Sequence, residues 1–331
     1  MNVLVTSISN KIPMLKAVRH ALERSSDCGV LFGADADSEC LGVYFVDQFW
    51  LCPRLHEGFI DELLQYCLKN RISVIFPSRD GELKYLAIHK EKLRQHQIYV
   101  MISAVDAVQF SLDKLLFCKK LQTEGFPAIP TFLQYEIGYE AAEYSIVEPR
   151  TIGHITFEHE AYVVKERFGA GARLAGIQIS ADRLDHYIRN MEHPVIQPFI
   201  EGKEYSVDMY VSDRQVVGSV VRQRVQVVNG ESRITQTVRH EKLERLCMRL
   251  SELYEFHGHI MFQVIQDAKE QFHVIECNCR FGGASTLSVA AGLDSFYWFM
   301  QECAGITVNQ LEFKRAEREI MLLRHPEDYL L

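Results

Sequence analysis

The sequence predicts an α/β fold whose carboxyl-terminal part turns α+β, and three observations predict it. From Met1 to about Ser103, short apolar strands alternate with helical patterns, the signature of a parallel sheet. From Val195 onward, strand patterns follow one another with few helices between them. Nearer the end, two β-branched apolar runs flank Asp267, Ala268, Lys269 and Glu270, which reads as a β-hairpin with a short loop.

The first strand is Val3-Leu4-Val5, within Met1 to Thr6, and a helix follows over Pro13 to Arg24. Next come a strand at Gly29 to Gly33, a helix over Phe59 to Lys69, and strands at Val74 to Phe76 and Tyr99 to Ile102. Ligands of such sheets gather at the carboxyl ends of strands, where Asp35, Asp37, Ser78, Arg79, Asp80 and Glu82 fall. The first turn, Thr6-Ser7-Ile8-Ser9-Asn10, has no glycine, so it lacks the Gly-x-Gly-x-x-Gly phosphate turn. A nicotinamide dehydrogenase is therefore not expected.

Ser111-Leu112-Asp113-Lys114 predicts a helix capped by Ser111 and running to about Thr123, before Gly125 to Thr131 breaks it. A strand over Ala161 to Lys165 then ends in a lysine and enters the small-residue loop Phe168-Gly169-Ala170-Gly171, whose N–H groups suit a phosphate. The loop is no Walker A motif, because Gly-Lys-Ser/Thr is missing. Val195 to Ile200 leads into a strand over Lys203 to Val211 that carries Glu204 and Asp208 on one face. A further strand ends in Arg222 and Arg224, Glu241 to Phe256 reads as an amphipathic helix, and two more helices over Ala284 to Gly292 and Phe296 to Cys303 precede a return strand at Glu319 to Leu323.

Along the second strand of the hairpin side chains alternate faces, so Glu276, Asn278 and Arg280 share one and Cys277, Cys279 and Phe281 the other. Pairing Gln266 with Gln271 sets Gln263 opposite Val274, on the Glu276 face. Hard oxygen ligands on a sheet suit Mg²⁺, completed by waters and substrate phosphates, with Arg280 beside it as a phosphate clamp. Taken singly these residues are ordinary: an edge hairpin with a polar face, a solvated helix lysine at 114, a glycine turn, two strand arginines. Their company gives them meaning.

With 331 residues, 47% of them hydrophobic, the chain can bury a sizeable core, and its length fits two or three packed units. A net charge of −8 with dispersed basic residues points away from nucleic acid and anionic membranes, toward small molecules. No apolar stretch approaches the roughly 18 residues that span a bilayer, and Met1 to Thr6 is a strand pattern, so a cytoplasmic protein is expected. Nine scattered cysteines without a Cys-x-x-Cys pair fit reduced, buried thiols.

In this order the motifs resemble the ATP-grasp superfamily, most closely the carboxylate–amine ligases similar to the carbamoyl-phosphate synthase large subunit, over nearly the whole chain. The most specific piece is Glu276-Cys277-Asn278-Cys279-Arg280-Phe281-Gly282-Gly283. The resemblance implies a Rossmann-like pre-ATP-grasp domain over 1–110, a small lobe with the glycine loop over 111–194, and a large lobe with a metal site over 195–331. It implies further that Lys114 and Lys165 contact ATP phosphates under the loop of Gly169 and Gly171. Gln197, Phe199 and Ile200 would meet adenine through backbone groups, and Glu204 the ribose hydroxyls. Gln263, Glu276 and Asn278 would hold Mg²⁺, or Mn²⁺ in its place, with Arg280 facing the transferred phosphoryl group.

The implied chemistry phosphorylates a carboxylate with ATP, lets an amine attack the acyl phosphate, and releases ADP and phosphate. Arg222 and Arg224 are expected to fork a substrate carboxylate, and Asp80 and Glu82 to hold an amine. Small carboxylates and amines are the expected partners, with a homodimer as the expected assembly. Bicarbonate as the carboxylate, and an ATP-binding regulator without turnover, stay open beside the ligase. Three departures stand out. Pro198 replaces a usual acidic residue and removes a backbone donor, Glu166 replaces a common proline and brings negative charge near the triphosphate, and Cys277 and Cys279 replace an aliphatic residue and a proline. The first two are expected to weaken nucleotide binding.

Overall fold

The computed structural model describes residues 1–25, 29–134, 160–169, 175–307 and 313–330. Its first layer is a parallel sheet of β1 (Asn2–Thr6), β2 (Leu31–Asp35), β3 (Gln48–Leu51), β4 (Ile72–Phe76) and β5 (Tyr99–Val100), in the order β3-β2-β1-β4-β5. Around it stand α1 (Ile12–Ser25), α2 (Phe59–Lys69), α3 (Asp80–Arg94) and α4 (Val105–Leu112). The strands read as continuous apolar runs because both faces are covered. Leu4, Phe32 and Ile75 join the core of α2 and α3. Val3, Val5, Leu31, Val74 and Phe76 join that of α1 and of α9 (Ser295–Cys303), where the Phe76 and Phe296 rings lie 4.9 Å apart.

After α5 (Lys114–Thr123) an antiparallel sheet forms from β6 (Phe132–Leu133), β7 (Tyr162–Glu166), β8 (Gly176–Ile179) and β9 (Pro194–Pro198), in the order β6-β9-β7-β8, with the short α6 (Leu184–Ile188) against it. A larger antiparallel sheet follows. Its strands β10 (Lys203–Ser212), β11 (Gln215–Val228), β12 (Glu231–Val238), β13 (Gly258–Gln266), β14 (Phe272–Asn278) and β15 (Met321–Leu323) lie in the order β14-β13-β10-β11-β12-β15. The expected return strand is thus an edge strand, and α7 (Glu241–Ser251) and α8 (Thr286–Ala290) complete the part. Among the described residues no helix is long and apolar enough to cross a membrane.

The helix expected to be capped by Ser111 is divided. Ser111 closes the last turn of α4, its hydroxyl donating back to the Val108 carbonyl at 2.8 Å. Asp113, with φ −104° and ψ 99°, caps α5 instead, accepting from the N–H groups of Leu115 and Leu116. A carboxylate two residues on competes better for a helix start than a hydroxyl that can satisfy itself on the preceding turn.

Candidate active site

The hairpin forms, with a register that differs from expectation. Gln266 pairs with Phe272, so the turn holds Asp267 to Gln271, and Asp267 Oδ1 accepts from the N–H groups of Lys269 and Gln271 at 2.9 and 2.8 Å. A bulge beside Ile275 then shifts the pairing, so that Gln263 lies directly opposite Glu276 and Asn278 opposite Met261. The Asn278 amide donates to Glu276 Oε1 at 3.2 Å, which leaves its own oxygen turned outward from that bond.

Lys165 on β7 faces this hairpin from the four-stranded sheet. Burial, and after it the charge of Lys114, pulls its ammonium down to about 8 against the opposing pull of Glu276. It has no hydrogen bond or ion pair among the described residues. A half-buried, unpaired lysine between two sheets suits an arriving anion.

Lys114 donates to the Gly169 carbonyl at 2.8 Å, and Asp113 forks Arg167 at 2.8 and 2.6 Å, so the start of α5 is fastened to the entry of the glycine loop. Gly169 has φ +107°, a conformation that favours glycine. Gly171 lies outside the described residues. Glu166 departs from expectation: adjacent to Lys165 on a strand, it points to the other face and accepts from the N–H groups of Glu192 and His193 at 2.7 and 2.9 Å. Its charge is thereby held at the turn into β9.

On β9, Gln197 is buried with its amide donating to the Thr131 hydroxyl at 2.7 Å. The N–H of Phe199 donates to the Ala161 carbonyl at 2.9 Å, so a base would find the Phe199 carbonyl and the Ile200 N–H rather than both amides. Glu204 is paired with Arg224 at 3.0 Å, and the same guanidinium donates to Gln263 Oε1 at 3.2 Å, Ser232 and the Gly230 carbonyl. Arg224 therefore bridges two predicted ligand-binding residues. Gln263, the third expected metal ligand, lies directly opposite Glu276, with its amide oxygen accepting from Arg224.

Arg222 is a correction. It is 1% exposed, and its Nε donates to Asp208 at 2.6 Å within a network that includes His259, Ser285 and Ser288. Burial alone would raise the Asp208 carboxyl, but Arg222 and His259 hold it well below the usual range. Arg222 thus neutralises a core aspartate instead of forking a substrate. A further correction concerns Asp80 and Glu82. Asp80 forks Arg280 at 2.8 and 2.6 Å across 200 residues of chain. Glu82 accepts from the N–H groups of Ser78 and Arg79 and from the Ser7 hydroxyl.

Sequence reasoning named Asp208 and Arg222 separately and missed that they pair, although one charge inside Tyr205-Ser-Val-Asp-Met-Tyr-Val211 was a signal that a buried counter-ion must exist. It placed Asp80 at the right end of the right sheet and gave it the wrong partner. Among the described residues no group of three His, Cys, Asp or Glu side chains is placed to hold a metal. Any cation here would lean on Glu276, the Asn278 amide oxygen and the ligand's own phosphates, a donor set that fits a hard ion keeping several waters.

Residues 190–324 match the family model described as ATP-grasp in the biosynthetic pathway with Ter operon, and residues 3–101 match that of the PylC-like N-terminal domain. Among solved structures, biotin carboxylase from Campylobacter jejuni in a β,γ-ATP complex aligns with a TM-score of 0.67 at 16% identity, over 92% of this chain and 71% of that one. The L-amino acid ligase of Bacillus licheniformis aligns with a TM-score of 0.67 at 14% identity, over 97% and 78%. N5-carboxyaminoimidazole synthetase from Staphylococcus aureus gives 0.64 at 15% identity, over 92% and 77%. No curated protein matches the chain in sequence.

Proposed function

We propose, from the premise that this chain has the ATP-grasp fold behind a PylC-like N-terminal domain, that it is an ATP-dependent carboxylate–amine ligase acting through an acyl phosphate. The observation that carries this reading is the meeting of two sheets at one charge cluster. Lys165 of the four-stranded sheet lies in the field of Glu276 on the six-stranded sheet, with Asn278 two residues along the same strand and Arg280 just past the strand's end. The division into a domain over 1–110, a small lobe over 111–194 and a large lobe over 195–331 belongs to the same proposal.

In this reading the triphosphate lies between the sheets. Lys165 and Lys114 neutralise it, the loop that opens at Gly169 covers it, and Glu204 takes the ribose with the oxygen left open by Arg224. Glu276 and Asn278 would hold Mg²⁺, which supplies charge neutralisation on the phosphoryl group in transfer. Arg280, kept ionised by Asp80 against the effect of burial, faces that group. The chain's own contribution is positioning and charge, so no protein nucleophile is needed.

The test is ADP and phosphate release from Mg²⁺-ATP across a grid of carboxylates, bicarbonate and amino acids included, against amines including ammonia. Release that requires one carboxylate and disappears in Glu276→Ala is expected. ATP binding without release anywhere on the grid would remove the ligase reading.

A further inference from the structure

We propose that the cavity between the start of α3 and the entry of the glycine loop receives the amine substrate, and that this substrate is an amino acid with an apolar side chain. The side chain fills the cavity, and the carboxylate meets Lys84. This deepens the ligase reading and rests on it.

The cavity measures about 450 Å³, within the range of small-molecule sites. One wall is the opening of α3, where Asp80 and Lys84, one turn apart, share a face. Glu82 between them turns away, to the Ser7 hydroxyl and the Ser78 N–H. The opposite lining is apolar: Leu112 at the end of α4, Leu116 in the first turn of α5, and Phe168 before Gly169. Asp113 bridges to Phe168 and Lys114 donates to the Gly169 carbonyl at 2.8 Å, so α5 and the loop entry make one wall. Leu116 and Phe168 are left 44% and 45% exposed. Two large apolar side chains left wet beside such a cavity suit a ligand whose own apolar body covers them.

The charges decide the rest of the ligand. Both carboxylates of the lining are already neutralised: Asp80 forks Arg280, and Asp113 forks Arg167, each at 2.8 and 2.6 Å. Lys84 is exposed and makes no hydrogen bond or ion pair among the described residues. The Arg79 guanidinium stands beside Gly81, its carbon 3.8 Å from where a Cβ would lie. Two acids each matched by an arginine, with Lys84 and Arg79 besides, leave the mouth of the cavity positive. An ammonium offers donors only, so its complement is a carboxylate. Lys84 stands a full helical turn beyond Asp80, so this carboxylate is not the one phosphorylated beside Arg280. An amine that carries such a carboxylate is an amino acid, and Asp80, which both lines the cavity and holds Arg280, joins its seat to the reacting groups.

The test is equilibrium binding to the full chain saturated with Mg²⁺ and the non-hydrolysable analogue adenylyl imidodiphosphate. The ligands are glycine, L-leucine, L-phenylalanine and leucinamide. Leucine or phenylalanine is expected to bind wild type at least about tenfold tighter than glycine, the effect of burying one apolar side chain. Leucine should bind about threefold tighter than leucinamide, as befits an exposed ion pair. Lys84→Gln should erase the acid-over-amide ratio and keep the leucine-over-glycine ratio, with Lys84→Arg restoring the first. Leu116→Asn should do the reverse. Both positions are exposed, and thermal midpoints of the unliganded variants check that they fold. No leucine-over-glycine preference in wild type, ratios unmoved by the variants, or a product in which leucine is joined through its carboxyl group overturns the proposal. Leucine held with both preferences by a chain that releases no ADP with any carboxylate would keep the cavity and sink the ligase reading. ADP release with amines that lack both side chain and carboxylate, and no leucine binding, would do the opposite.

Discussion

Arg222 with Asp208 and Arg280 with Asp80 are built from the same two residue types at nearly the same separations, 2.6 Å and 2.6 to 2.8 Å. The first pair is sealed, its side chains 1% and 0% exposed, inside one sheet and ringed by His259, Ser285 and Ser288. The second stays 14% and 9% open and joins the start of α3 to the segment just after β14. A sealed pair has no donor to lend to a ligand, whereas an open one at a joint has. The difference lies in the surroundings of the pair and not in its chemistry, which is why two arginines cannot be ranked by residue type.

The sharpest way to break this comparison is Asp208→Ala. It leaves a buried guanidinium uncompensated and should cost about 3–5 kcal/mol of stability, read by urea unfolding. Arg280→Ala should instead lower turnover by about 100-fold, as loss of a transition-state donor does, while moving the unfolding midpoint far less. If the two variants lose stability equally and Arg280→Ala keeps its rate, the division into sealed and working pairs is wrong.

A finer test concerns Lys165. Its ammonium sits at about 8, so it is charged below that pH and neutral above. Arriving phosphates would raise it, so nucleotide binding should take up a proton near pH 8.5. Affinity should then fall by at most about tenfold per pH unit above 8. Calorimetry in buffers of different ionisation heat measures the proton, and Lys165→Met should abolish it. The smallest expected effect is that of Glu166→Gln. Its carboxylate is held by the N–H groups of residues 192 and 193, so about 1 kcal/mol of stability is lost while nucleotide affinity stays within about threefold. A large gain in affinity would mean that the Glu166 charge reaches the phosphates after all.

Most of the architecture was legible because periodicity records burial: the runs Val3-Leu4-Val5 and Val74-Ile75-Phe76 announce strands covered on both faces, and the alternation around Glu276 and Asn278 announces a strand, although that strand ends before Arg280. What stayed hidden was pairing across distance. No local pattern says that Arg280 meets Asp80, or that a bulge at Ile275 sets Gln263 against Glu276. Nor does the period of a strand say which of Arg222 and Arg224 turns into the core. Asp208, on the neighbouring strand, decides that.

The sharing of the first sheet's core with α9 carries a consequence for how the protein is made. Phe76 packs on Phe296 and Phe299 in the core that also holds Val3 and Val5, and Arg24 of α1 reaches Asp294. On the ribosome β5 emerges about 200 residues before α9, which at roughly 5–20 residues per second is about 10–40 s of exposed apolar surface. The nascent amino-terminal sheet is therefore a natural client for a holding chaperone until the last tenth of the chain arrives to cover it.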